Sequence, residues 1–127
     1  PIATALSLQS GVPLVYPRKE SKGYGTGAAV EGGFEPGETV VVLDDVATTA
    51  ASKFEAIERL NAAGLTVRDV VVLIDRQAGA RQALAQAGLR LHTVFSLSQL
   101  LSQWELVGAV PVDDLANVRE FMARDHQ

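Results

Sequence analysis

Several features that would point to particular classes of protein are missing from this chain. It contains no cysteine, which excludes disulfide bonds and cysteine-ligated zinc. Its 15 acidic and 11 basic residues give a net charge of −4, which argues against a nucleic-acid partner. Its apolar runs, such as residues 40–43, are far too short to cross a membrane. Because no signal-like segment is visible either, we expect a cytoplasmic protein.

The residues that are present fit a small folded protein. A length of 127 residues is enough for a single domain, 1–127, and 47% hydrophobic with 20% charged residues is an ordinary globular composition. The first residue is Pro1 and not Met, and the residues after it read as the middle of a helical turn. We therefore expect the sequence to be a fragment or a processed chain.

Apolar patterns predict strands and helices in alternation. Strands buried on both faces are predicted over residues 39–43, ending at Asp44-Asp45, and over residues 67–74, ending at Asp75-Arg76. A third strand is predicted over 89–95, a short one over 14–16, and helices over about 2–9, 51–63, 78–87, 96–104 and from 111 towards the C-terminus. This order is typical of an α/β protein with a parallel sheet, in which ligands bind at the carboxyl ends of the strands.

The segment after the first of these strands is suited to a phosphorylated sugar. Asp44 and Asp45 could hold ribose hydroxyls directly or through Mg²⁺. A hydroxyl-rich turn then leads into a helix start, whose free N–H groups and dipole attract phosphate. The alternative is a solvated acidic turn in which Thr48 caps the helix. The candidate phosphate-binding residues are Val46, Ala47, Thr48, Thr49, Ala50, Ala51 and Ser52.

Four segments carry a resemblance to a known family. Residues 43–49, Leu-Asp-Asp-Val-Ala-Thr-Thr, resemble the phosphoribosyl pyrophosphate motif of type I phosphoribosyltransferases. Residues 18–27, continued by Val-Glu-Gly at 30–32, resemble the mobile catalytic loop of orotate phosphoribosyltransferases. Residues 71–79 resemble the strand end at which that family binds its base, and residues 89–97 resemble its last sheet strand, particularly in enzymes fused to orotidine-phosphate decarboxylase, the UMP synthases.

The resemblance implies the type I phosphoribosyltransferase fold, a Rossmann-like parallel sheet with helices on both faces. It also implies an enzyme that transfers phosphoribosyl from phosphoribosyl pyrophosphate to orotate in UMP biosynthesis, with Mg²⁺ as cofactor. The family has a hood, a core strand and a pyrophosphate-binding turn before the position that matches Pro1. We therefore expect the chain alone to bind phosphoribosyl pyrophosphate poorly and to turn over little.

The resemblance also assigns roles to individual residues. Lys19, Lys22, Asp44 and Asp45 would be catalytic, and Arg18 and Tyr24 would join them in binding phosphoribosyl pyrophosphate, with 18–30 as a flexible loop. Arg76 would pair with the orotate carboxylate, assisted by Thr48, since a guanidinium forms bidentate pairs with carboxylates. A structural ion pair, such as Asp75 with Arg76, is the alternative. His92 is expected to be structural, and His126 lies in a tail. No protein side chain is assigned as a direct metal ligand, although Asp44 and Asp45 could contribute.

Partners and rival functions follow from the same segments. The family implies a homodimer whose subunits share the loop, and a fusion to orotidine 5′-phosphate decarboxylase is open. Ala50 stands where the family usually has glycine, so a regulatory protein that senses phosphoribosyl pyrophosphate or nucleotide is an alternative. A purine phosphoribosyltransferase is disfavoured by Asp75-Arg76, and a phospho-acceptor receiver domain would leave the basic glycine-rich loop unexplained.

Overall fold

A computed structural model describes residues 1–18 and 29–124. Five helices and five strands occur in these ranges. In chain order they are α1 (Ile2–Ser10), β1 (Tyr16–Pro17), β2 (Val30–Glu31), β3 (Thr39–Ala47), α2 (Ala51–Ala62), β4 (Thr66–Asp75), α3 (Ala80–Gln86), β5 (Arg90–Ser96), α4 (Leu97–Val107) and α5 (Val112–Arg124).

The three longer strands form a parallel sheet in the order β3-β4-β5. Val70 of β4 lies at the centre, with Val42 of β3 and Leu91 of β5 as its partners in register. Strands β1 and β2 pair separately, as a small antiparallel ladder. The parallel α/β architecture expected from the alternation of strands and helices is confirmed.

The core lies on one face of this sheet. Val70 and Val72 of β4 are completely buried, as is Leu84 of α3. Ile57 and Leu60 belong to the same cluster, because a spacing of three to four residues places them on one stripe of α2. Burying these side chains supplies the main favourable term for folding, about 1.5–3 kcal/mol for each large aliphatic group.

Two details of the predicted strands are wrong. Strand β3 does not stop before the aspartates but continues to Ala47, so Asp44 and Asp45 belong to the strand itself. Nor is it buried on both faces, since Val41 is 52% exposed and Leu43 37% exposed. Within the described part of the chain β3 is an outer strand of the sheet, with one hydrogen-bonding edge unpaired. A largely apolar cavity of ≈ 670 Å³ lies between this strand and α1.

The helix ends follow their expected signals. Gly11 ends α1 in a left-handed conformation at φ 75°, and Ser96 begins α4 with a complete capping box that includes Gln99. Helix α2 ends one residue earlier than expected, at a cap on Ala63, and Gly64 follows at φ 89°. No helix within residues 1–18 and 29–124 is long and apolar enough to cross a membrane.

Candidate functional site

The carboxyl ends of β3 and β4 bring the predicted site residues to one edge of the sheet. Ala47 and Asp75 are partners in register, and the backbone N–H of Arg76 donates to the carbonyl of Ala47 at 2.9 Å. Adjacent strands lie about 4.8 Å apart. Thr48 and Arg76, which follow these two strand ends, are therefore neighbours.

The turn after β3 leads directly into the start of α2. Ala50 is the N-cap of this helix and no side chain caps it, so the alternative in which Thr48 acts as the cap is wrong. Uncapped N–H groups at a helix start can donate hydrogen bonds to an anion. An open, polar cavity of ≈ 480 Å³ lies here, lined by Asp44, Asp45, Val46, Thr48, Thr49, Ala51, Ser52, Lys53 and Glu55.

Ala50 occupies its position without backbone strain. Its φ of −86° and ψ of −4° lie in the right-handed region, which any residue adopts. Ala50 therefore does not carry the cost of about 1 kcal/mol or more that a residue with a Cβ has at positive φ. Its methyl group is buried, with the residue 4% exposed, so it faces the protein interior.

Asp44 is held by a lysine that the sequence patterns did not single out. Lys53 is only 4% exposed, and its Nζ lies 2.6 Å from Asp44 Oδ2. Partial burial by itself raises the pKa of Asp44, but the Lys53 ammonium and the Asp45 N–H outweigh it and hold that pKa below its ordinary value. Lys53 could have been found from its spacing, because it continues the buried stripe of Ile57 and Leu60 one turn towards the helix start.

Asp45 differs from Asp44 in its contacts. Both aspartates line the ≈ 480 Å³ cavity, but Asp44 is ion-paired with Lys53. Asp45 Oδ1 accepts a hydrogen bond from the N–H of Val46 at 2.8 Å. Among the described residues no cation lies within ion-pair distance of Asp45.

Asp75 and Arg76 do not pair with each other. Asp75 is 4% exposed, and its Oδ1 accepts from the N–H of Gln77 at 2.8 Å. Its other oxygen lies 3.6 Å from Arg81. The alternative of an Asp75–Arg76 ion pair is therefore wrong, and in the described ranges no carboxylate lies within ion-pair distance of the half-buried Arg76.

Gln77 was also missed by the sequence reasoning. It is the one residue other than glycine, within the described ranges, that has a positive φ, at 60°. Its Oε1 accepts a hydrogen bond from the N–H of Ser98 at 3.0 Å. Nothing in a glutamine after an Asp-Arg pair signals this conformation, which is set by contacts with β4 and α4.

Arg18 lies at the base of the predicted loop and is tied in three ways. Its guanidinium forms an ion pair with Glu31, which also accepts from the hydroxyl of Tyr16. Its N–H donates to the carbonyl of Ala29 at 2.9 Å, and its own carbonyl accepts from Arg59 at 2.8 Å. The remaining predicted loop residues, Lys19, Lys22 and Tyr24, lie outside the described residues, as does His126.

His92 belongs to a polar cluster away from the carboxyl edge. Its Nε2 lies 2.7 Å from Asp69 Oδ1, and Arg90 contacts the same carboxylate. Hydrogen bonds from Arg90 and His92 hold the pKa of Asp69 below its ordinary value. Asp69 and Arg90 are partners near the amino ends of β4 and β5. This position agrees with the structural role expected of His92.

The residues at the carboxyl edge of the sheet could supply only some of the ligands of a magnesium ion. No group of three or more His, Cys, Asp or Glu in the described ranges is placed to hold a metal ion. Asp44 and Asp45 both line the ≈ 480 Å³ cavity, and Asp44 is also engaged by Lys53. Because Mg²⁺ commonly uses one or two carboxylates together with waters and substrate phosphates, this set fits an ion held mainly by a bound diphosphate.

Comparison with known proteins shows which proteins this chain is related to. An orotate phosphoribosyltransferase of Natronomonas pharaonis is 44% identical over 102 residues, which are 80% of this chain and 59% of that protein. The chain is a homologue of the orotate phosphoribosyltransferases. Uridine 5′-monophosphate synthase of Bos taurus is 37% identical over 122 residues, 96% of this chain and 25% of that protein. No family model matches the chain.

Solved structures show the same relationship in three dimensions. Leishmania donovani UMP synthase superposes with a TM-score of 0.88 at 41% identity, covering 97% of this chain and 26% of that one. Mycobacterium tuberculosis orotate phosphoribosyltransferase in complex with phosphoribosyl pyrophosphate has a TM-score of 0.62 at 29% identity, covering 70% of this chain and 50% of that one. The fold is therefore that of the type I phosphoribosyltransferases, as expected. The chain spans about three-fifths of the Natronomonas homologue.

Proposed function

We propose that this chain forms the part of an orotate phosphoribosyltransferase that binds phosphoribosyl pyrophosphate and orotate. The reaction would transfer phosphoribosyl to orotate, giving orotidine 5′-monophosphate and pyrophosphate in UMP biosynthesis. One observation carries the proposal. The phosphate turn after β3 and Arg76 after β4 begin at neighbouring strand ends, which are joined by the hydrogen bond from the Arg76 backbone N–H to the Ala47 carbonyl. A transferase needs its two substrates placed in this way, next to each other.

The 5′-phosphate would bind at the start of α2. The helix lacks a side-chain cap, and the hydroxyls of Thr48, Thr49 and Ser52 surround the polar cavity. The backbone of residues 46–51 would supply further N–H donors. Asp45, with Asp44 beside it, would accept hydrogen bonds from the ribose hydroxyls.

Orotate would bind at Arg76. The guanidinium has no ionic partner among the described carboxylates, so it is available to form a bidentate pair with the carboxylate of the base. Thr48 on the neighbouring strand end would donate a further hydrogen bond. The orotate nitrogen would then attack the anomeric carbon as the bond to the pyrophosphate oxygen breaks, through an oxocarbenium-like state.

The leaving pyrophosphate would be neutralised by the basic segment. Arg18, Lys19 and Lys22 provide three cations within five positions, and Tyr24 would also contact the substrate. Opening its pair with Glu31 would free Arg18 for this role. Magnesium bound to the diphosphate would lower its charge and assist its departure.

The assembly and location belong to the same proposal. A homodimer whose subunits share the loop 18–30 is inferred from the resemblance. A fusion to a decarboxylase is supported by the UMP synthase homologues, in which the matching region is a quarter of the protein. A cytoplasmic location and a single domain over 1–127 remain predictions.

A spectrophotometric assay of orotate consumption tests the proposed reaction. It would contain Mg²⁺ and phosphoribosyl pyrophosphate, with the 127-residue chain and, in parallel, a version extended upstream of Pro1 by the corresponding segment of a homologue. We expect consumption by the extended protein, little by the chain alone, and loss of activity on Lys19→Ala or Arg76→Ala.

Binding measurements distinguish an error in the proposed catalysis from an error in the proposed substrate site. Titration calorimetry with phosphoribosyl pyrophosphate and Mg²⁺ would be run on the same proteins. If the extended protein binds phosphoribosyl pyrophosphate but does not consume orotate, the catalytic proposal is wrong and a sensor is favoured. If it binds neither substrate, the assignment of the strand-end site is wrong as well.

A further inference from the structure

The ammonium of Lys53 joins the end of β3 to the start of α2. It lies 2.6 Å from Asp44 Oδ2, donates to the carbonyl of Val46 at 2.6 Å, and lies 3.3 Å from the hydroxyl of Ser52. A lysine ammonium has three N–H donors, so these three acceptors use all of them. Lys53 is therefore fully engaged by protein groups on both sides of the phosphate turn.

The burial of this lysine requires an explanation. Lysine is almost never fully buried unless it is paired, because the desolvation of an isolated ammonium is costly. An aliphatic residue at this position would complete the stripe of Ile57 and Leu60 without that cost. The lysine therefore points to a role other than stability, and its partner is the first carboxylate of the proposed sugar-binding pair.

We propose that Lys53 is a positioning residue that holds the Asp44 carboxylate against the start of α2 and so fixes the acidic end of β3 relative to the phosphate turn. Asp44 is ion-paired with Lys53, whereas no described cation pairs with Asp45. Asp44 and Asp45 both line the ≈ 480 Å³ cavity, so the carboxylate that Lys53 holds belongs to the same proposed sugar site as Asp45.

The same ammonium fixes the shape of the turn. By contacting the carbonyl of Val46 and the hydroxyl of Ser52, it sets the distance between the two ends of residues 46–52. Asp44 extends this frame, since its Oδ1 accepts from the N–H of Asp45 at 2.9 Å. Loss of Lys53 is therefore expected to disturb the binding of the phosphorylated sugar and not the binding of orotate.

The test is a mutant cycle in the extended protein described above, and it rests on the proposed function. We expect Lys53→Met to raise the KM for phosphoribosyl pyrophosphate by about tenfold or more, with the KM for orotate within about twofold. Asp44→Asn with Lys53→Met should lose no more than the worse single variant, because both changes break one contact. Asp45→Asn should weaken binding further when added to Lys53→Met, because it acts independently.

A structural control separates positioning from general destabilisation. Ile57→Val lies one turn further along the same buried stripe and should lower the melting temperature while leaving both KM values unchanged. Where Lys53→Met does not fold, the Asp44→Asn/Lys53→Met double variant carries the test, since it contains no uncompensated charge.

The outcomes are distinct. Wild-type affinity for phosphoribosyl pyrophosphate in folded Lys53→Met, or in the folded double variant, would overturn the inference, as would losses that multiply between Asp44→Asn and Lys53→Met. An equal rise in both KM values would also overturn it, because it would indicate a general structural effect. Failure of the unmodified extended protein to bind phosphoribosyl pyrophosphate would instead remove the proposed function on which the inference rests.

Discussion

The side chain of Gln77 accepts a hydrogen bond from the backbone N–H of Ser98 at 3.0 Å while Gln77 itself has a φ of 60°. The left-handed conformation costs a residue with a Cβ about 1 kcal/mol or more. The bond to α4 and the one from the Gln77 N–H to Asp75 offset that cost. Strain held in this way next to Arg76 fixes the path of the loop that carries the guanidinium.

Two substitutions at Gln77 separate strain from hydrogen bonding. Gln77→Ala keeps the left-handed conformation but loses the acceptor for Ser98, so we expect a loss of about 1 kcal/mol in the free energy of unfolding. Gln77→Gly loses the same acceptor but relieves the strain, so its stability should stay within about 0.5 kcal/mol of the wild type. Urea denaturation measures both. Equal destabilisation by the two variants would show that φ at Gln77 carries no strain.

Gly32 is expected to tolerate no side chain. It has a φ of 113°, and a Cβ there would lie 2.5 Å from the carbonyl oxygen of Leu14. Gly32→Ala should therefore destabilise the protein by about 2–4 kcal/mol, from the left-handed conformation and the backbone clash together. Gly33→Ala is the matched control, because a Cβ at Gly33 meets nothing within 4 Å and should change stability little. Similar melting temperatures for the two variants would contradict this prediction.

Arg76→Lys tests the assignment of the base site. The substitution keeps the positive charge but removes the planar fork that pairs with a carboxylate through two hydrogen bonds. In the extended protein, we expect the KM for orotate to rise about tenfold or more, with the KM for phosphoribosyl pyrophosphate within about twofold. Arg68→Lys, an exposed position in the first half of β4, is the control and should behave as wild type. An unchanged KM for orotate would remove Arg76 from the base site.

The Asp69 cluster predicts a pH dependence of stability with a defined sign. Hydrogen bonds from Arg90 and then His92 lower the pKa of Asp69 from its ordinary value of 3.8. A carboxyl whose pKa is lower in the folded state stabilises the fold above its ordinary pKa, and that contribution disappears as the pH falls through the folded-state value.

The measurement for Asp69 compares two variants in acid. We expect the stability difference between wild type and Asp69→Asn to be constant near neutral pH and to shrink below pH 3.8. Arg90→Gln, which removes the first cause of the shift, should make the acid dependence weaker. A difference that stays the same down to the lowest pH at which both proteins fold would contradict the assignment.

Much of the fold could be predicted because its signals are local. The apolar runs, Gly11 and Ser96 identify strands and helix ends from neighbouring residues alone. Asp44 and Asp45 were expected near the carboxyl edge of the sheet, and they lie there as part of β3 and not as a turn. The exposure of Val41 could not be predicted in this way, because burial depends on what lies beside β3 in space. Runs of valine and leucine look the same in an inner and an outer strand.

The finer contacts of the site depend on distances that the sequence does not contain. The spacing of Lys53 from Ile57 and Leu60 places it on the buried stripe of α2, but that spacing does not show that its side chain reaches back to Asp44. In the same way, the partner of Asp75 is Arg81, in the first turn of α3, and not the adjacent Arg76. Contacts between different helices and strands therefore determine which of the predicted site residues lack an ionic partner among the described residues.

The hydrogen bond between Arg18 and Ala29 has a consequence for engineering the chain. It fixes both ends of the ten-residue stretch from 19 to 28, and Arg59 anchors one of those ends to α2. When the ends of a loop are fixed independently of its interior, doubling its length costs only about 0.6 kcal/mol of closure entropy. Arg18 and Ala29 are thus held together by contacts made outside residues 19–28, so we expect a reporter peptide inserted between them to leave these paired ends in place.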